Sequence, residues 1–68
     1  SIDQKFVYLF SFIVLIFVDQ KIFESELIFG RGIAIKLGFK KNVVDYLVEN
    51  SSQKPLNELK NTVFQDFV

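Results

Sequence analysis

The run FVYLFSFIVLIFV, residues 6–18, constrains the fold more than any other feature of the chain. Its only non-apolar parts are Ser11 and the hydroxyl of Tyr8, so neither a helical nor a strand period gives it a polar face. Such a segment must be covered all round, by protein or by lipid. Polar triplets flank it, Asp3-Gln4-Lys5 before and Asp19-Gln20-Lys21 after. As a helix the run spans about 20 Å, short of a hydrocarbon core of about 30 Å. That length suits a buried helix or an interfacial segment. Snorkelling of Lys5 and Lys21 would extend the span to about 25 Å, enough for a thin bilayer. The β-branched and aromatic content equally suits a strand buried on both faces. No small-residue cleavage site follows Val18, which argues against a signal peptide.

The chain of 68 residues is at most one domain. A domain of that size buries only about 60% of its unfolded surface, and small chains usually add disulfides, metals or partners. The sequence has neither Cys nor His, which removes disulfides, thiolate sites and the commonest metal ligand. A nucleophilic triad or a zinc site cannot be assembled from what remains. Glu24 and Glu26 are the one local carboxylate pair, and they read as a solvated polar patch. No enzyme, cofactor or metal is therefore expected, and other protein subunits are the expected partners. Half the residues are hydrophobic and nine are Phe, far too many for disorder. Abundant Phe, Ile, Lys and Asn with no Met, Cys, Trp or His resembles the product of an AT-rich genome, which favours an organellar setting.

Three stretches divide the chain: an apolar segment at 1–21, a mixed segment at 22–39 and a helical part at 40–68. In the mixed segment Gly30-Arg31-Gly32 is strong punctuation. Beyond it Ile33, Ile35, Leu37 and Phe39 alternate with Ala34, Lys36 and Gly38. That period of two predicts a strand paired with 27–29 across the Gly-Arg-Gly turn, or else a short helix that ends at Gly38. Val43, Val44, Leu47 and Val48 share one helical face over 42–49, with Asn42 placed to cap it. Leu56, Leu59, Val63 and Phe67 make an amphipathic stripe over 55–67, with Pro55 in the first turn. The expected fold is thus mainly α with two C-terminal amphipathic helices, leaving open a β element at the N-terminus or the centre.

Net charge is zero and the pI about 6.1, whereas a nucleic-acid binder is usually basic. Charge is nevertheless uneven. Arg31, Lys36, Lys40 and Lys41 form a stretch with no acid among them, and acids outnumber bases from Asp45 onward. The segment RGIAIKLGFKKNVVDYL, residues 31–47, resembles helix-turn-helix DNA-binding domains without a gap. Ala34, Gly38 and Val44 stand at the small, turn and aliphatic positions of that family, and Ile33, Leu37 and Leu47 at its other buried positions. The resemblance implies a second helix over 41–49. Arg31, Lys36, Lys40, Lys41 and Asn42 would then meet phosphate or bases, and Asp45 and Tyr46 would face the groove. More loosely, FIVLIFVDQK, IFGRG and KLGF resemble in order the helix–two-turn–helix ribosomal protein of the small-subunit head.

Two functions follow as expectations. The first is a non-enzymatic structural or accessory subunit of a larger organellar membrane complex. It would contact partners or lipid through Phe6, Leu9, Phe10 and Ile13 of the run and Leu56, Leu59, Val63 and Phe67 of the C-terminal stripe. The alternative is a small helix-turn-helix or ribosomal nucleic-acid-binding protein.

Overall fold

The computed structural model describes residues 1–18 and 23–68. The triplet Asp19-Gln20-Lys21, and with it the snorkelling of Lys21, lies outside the described residues. Four helices follow in order: α1 (Ile2–Val18), α2 (Glu24–Leu37), α3 (Val43–Asn50) and α4 (Leu56–Asp66).

The whole apolar run belongs to α1. Ser1 opens the helix: its Oγ accepts the Gln4 N–H at 3.3 Å and its carbonyl accepts the Lys5 N–H at 3.1 Å. A carboxylate plays the reciprocal role at α2, where Glu26 Oε1 accepts the Phe23 N–H at 3.1 Å. Helix α2 stops at Gly38, whose φ of +97° is open to glycine and strained for other residues. There the Phe39 N–H reaches Ala34 O at 2.9 Å and the Gly38 N–H reaches Ile35 O at 3.0 Å, the bond pair of a Schellman motif. Buried Phe39 closes that end.

The expected β element is not found: among the described residues there is no strand at either proposed site. Alternation at 33–39 is overridden by contacts that need a helix. Gly30 and Ala34, one turn apart, are both buried, and a Cβ on Gly30 would lie 2.9 Å from Phe12 Cε2 and 3.6 Å from Val44 Cγ1. Gly30-Arg31-Gly32 is therefore not a turn. It is the middle of a helix that seats α1 and α3 against its smallest residue. The side chain of Asn42 makes no capping bond, and α3 starts instead from the tight turn in which the Val43 N–H meets Lys40 O at 3.0 Å. Pro55, in extended conformation, precedes α4, and its carbonyl accepts from Glu58 and Leu59.

One core joins the four helices. Phe6, Leu9, Ile13 and Ile16 line one stripe of α1, Val43, Val44 and Leu47 one side of α3, and Leu59 and Val63 the inner side of α4. Helix α3 is the hub, packed against each of the other three. Its turn is tied to the far end of the chain by Lys40 N–H to Phe67 O at 2.6 Å.

The glycines give a direct test of this arrangement. Nothing lies within 4 Å of a Cβ at Gly32, which is exposed in mid-helix. Gly32→Ala is expected to raise stability by about 0.5–1 kcal/mol through helix propensity. Gly38→Ala must place a Cβ at positive φ and is expected to lower it by about 1 kcal/mol. Urea denaturation measures both; a loss at position 32 would contradict the open space there.

Candidate docking face

Helix α1 can turn only one stripe inward, yet it is apolar all round. Its outer side therefore presents Val7, Val14, Leu15 and Val18 to solvent, with Leu15 66% exposed. The same holds on α2, where Ile28, Phe29 and Ile35 point away from the Gly30–Ala34 stripe and Phe29 is 64% exposed. The two outer sides meet where the Phe12 and Phe29 rings lie 5.7 Å apart. One shallow groove is lined by Gln4, Val7, Tyr8, Ser11, Phe12 and Leu15. A second shares Tyr8 and Phe12 with it and continues to Phe29, Ile33, Lys36 and Leu37. A third carries on over Ile28 and Gly32. The result is a continuous, mainly apolar surface two helices wide, and exposed apolar patches of large extent mark interaction sites.

The aliphatic hydroxyl in the middle of this face makes no demand on a partner. Ser11 Oγ donates to Val7 O at 2.8 Å within its own helix. The carboxylates of α1 and α2 are also engaged: Asp3 with Lys60 at 2.6 Å, Glu24 with Arg31 at 3.5 Å, and Glu26 with the Phe23 N–H. Lys5 and Lys36 are exposed and have no carboxylate partner among the described residues. Lys36 lines two of the grooves, and Lys5 shares a helical stripe with Tyr8 and Phe12. The carboxylates without a partner among the described residues, Glu49, Glu58 and Asp66, belong to α3 and α4.

Of the eight residues expected to contact partners or membrane, Phe6, Leu9, Ile13, Leu59 and Val63 are buried in the chain's own core. Phe10 and Phe67 are half-buried against it, and Leu56 alone is largely exposed, at 52%. The residues that do face outward on α1 and α2 were not singled out from sequence. Their signal is an excess: more apolar positions than one inward stripe can use.

The nucleic-acid set is dispersed. Arg31 Nη2 donates to Asp45 Oδ1 at 2.7 Å across the α2–α3 crossing. The hydrogen bond it donates to Asp45 raises the guanidinium pKa further, partial burial opposes it, and Glu24 adds to the rise. Tyr46 turns toward α4, its ring 5.1 Å from that of Phe67 and beneath Lys54 Nζ, and its hydroxyl is buried without a hydrogen-bond partner among the described residues. Lys40, Lys41 and Asn42 are exposed on the turn before α3, and Lys36 lies apart on α2. Ala34 and Val44 are buried in the core, and Gly38 takes the left-handed turn that ends α2. On α3 itself, however, the most open residue is an acid, Glu49.

Among the described residues no group of three or more His, Cys, Asp or Glu side chains could hold a metal ion, and no helix is long and apolar enough to cross a membrane. No protein-family model, curated protein or solved structure matches the chain.

Proposed function

We propose that the chain is a non-enzymatic interaction module, an accessory subunit that docks through the outer sides of α1 and α2 onto another component of a larger assembly. The observation that carries this reading is the apolar face running from Val7 to Ile28 across Phe12 and Phe29, with its Ser11 hydroxyl bonded inside the helix. A domain that could bury its apolar residues alone would not leave this much on one side. The composition favours an organellar membrane complex as the setting.

A nucleic-acid role is the second reading. The exposed Lys40, Lys41 and Asn42 at the start of α3 favour it. It ranks second because a reading helix needs a free face to enter a groove, and α3 is the packed hub with an acid as its exposed residue.

Sedimentation in detergent-free buffer tests the docking reading. The wild-type chain is expected to self-associate or precipitate. Leu15→Glu combined with Ile28→Glu is expected to give a monodisperse monomer whose unfolding free energy changes by about 1 kcal/mol or less, since both sites are exposed. A wild-type chain that is already monodisperse and unfolds cooperatively would refute the reading. Binding to duplex DNA or structured RNA that falls steeply with salt would promote the second reading. The slope should then drop by about one for each of Lys40→Gln and Lys41→Gln.

A further inference from the structure

We infer that the surface taken by this face is an anionic lipid bilayer, on which α1 and α2 lie flat. The inference rests on the docking reading and names its occupant. Its first support is shape. Helix α1 has 17 residues, about 25 Å of helix against a hydrocarbon core of about 30 Å. It is also fixed beside α2 by the Phe12–Phe29 contact and by the seat that Gly30 makes for Phe12. Two short helices held side by side with their outer sides apolar fit into the interface plane rather than across it.

The second support is charge. On the two helices that carry the face, every carboxylate is already bound to a cation or to a backbone N–H, and Lys5 and Lys36 remain. Among the described residues the unpartnered carboxylates are carried by the other two helices. An apolar face bordered by lysines, with the free acids elsewhere, complements a negatively charged headgroup layer. Each such lysine contributes about fivefold to membrane affinity. Tyr8, 62% exposed on the stripe that begins at Lys5, sets an amphipathic ring at headgroup level. Ser11 brings no unbonded donor into the acyl boundary, because its hydroxyl is held by Val7 O.

Vesicle flotation with the full chain tests the inference, because bound protein rises with the lipid while aggregates sink. The chain is expected to float with vesicles of phosphatidylcholine and phosphatidylglycerol, and much less with phosphatidylcholine alone. Lys5→Gln and Lys36→Gln are each expected to weaken binding to the anionic vesicles about fivefold. Leu15→Glu with Ile28→Glu is expected to abolish binding, with circular dichroism confirming the helices. Gln65→Ala, exposed on α4 and away from the face, should leave it intact. Equal flotation with neutral and anionic vesicles overturns the proposal. No flotation together with self-association in buffer overturns it too, but leaves the docking reading standing. If Gly32→Ala then breaks that self-association, the occupant is a second copy packed helix to helix. No flotation and no self-association overturns both.

Discussion

Leu47→Ala is expected to remove most of the stability of the domain. Leu47 is fully buried on α3, which packs against each of the other three helices, so no neighbouring element is free to collapse into the space it leaves. Truncating a buried Leu costs about 2–5 kcal/mol, more where the site cannot relax. A chain of this length holds about 3–10 kcal/mol in total, taking about 0.05–0.15 kcal/mol per residue. The urea midpoint of Leu47→Ala should fall steeply, and at room temperature a large share of the variant should be unfolded by far-UV circular dichroism. Leu56→Ala, at an exposed position at the start of α4, should change stability by about 0.5 kcal/mol or less. Equal sensitivity at the two sites would mean that α3 is not the hub.

The same logic explains which parts of the molecule were legible in the sequence. Helices α3 and α4 were, because polar residues interrupt their apolar positions at helical spacing. Asp45 and Glu49 separate out the Val43–Val44–Leu47 stripe, and Glu58 and Asn61 set off Leu59 and Val63. In α2 the pattern misled. Ile33, Ile35, Leu37 and Phe39 alternate like a strand, and only contacts from distant parts of the chain, Phe12 and Val44 on Gly30, make the helical form the better one. The Arg31–Asp45 ion pair joins residues fourteen apart, and local spacing does not announce it. That pair is also why the basic stretch is less free than its sequence suggests: one of its four cations is held by the helix it was expected to assist.

The stripe over 55–67 was legible as a stripe, but its destination was not. Buried Leu59 and Val63 close the chain's own core, so Asp at either site is expected to unfold the domain rather than release a partner. In α1 nothing in the sequence separates the inward from the outward side, because both are apolar. The neighbours decide: Ile16 and Phe6 lie against the other helices, and Leu15 and Val7 do not.

Phe6 and Tyr8 put this to the sharpest test, since they are aromatic residues two apart in one run. Phe6 is 1% exposed, stacked on Phe10 with ring centroids 5.9 Å apart and met edge-on by Phe64 at 6.0 Å. It ties α1 to α4 near the Lys60–Asp3 ion pair, and Lys60 Nζ also sits 5.6 Å from the Phe64 ring. Phe6→Ala is expected to cost about 3–5 kcal/mol, the range for a buried Phe, and to free the N-terminal half of α1 from α4. Tyr8 is 62% exposed, and Tyr8→Ala is expected to change the unfolding free energy by about 0.5 kcal/mol or less. Its effect should fall on docking instead, because Tyr8 lines both the groove on α1 and the one that continues onto α2. Urea denaturation in parallel with vesicle flotation separates the two roles: Phe6→Ala should fail the first measurement and Tyr8→Ala only the second. A Tyr8→Ala variant that unfolds as readily as Phe6→Ala would mean that the outer side of α1 is covered by the chain itself, and the docking face would then be lost with it.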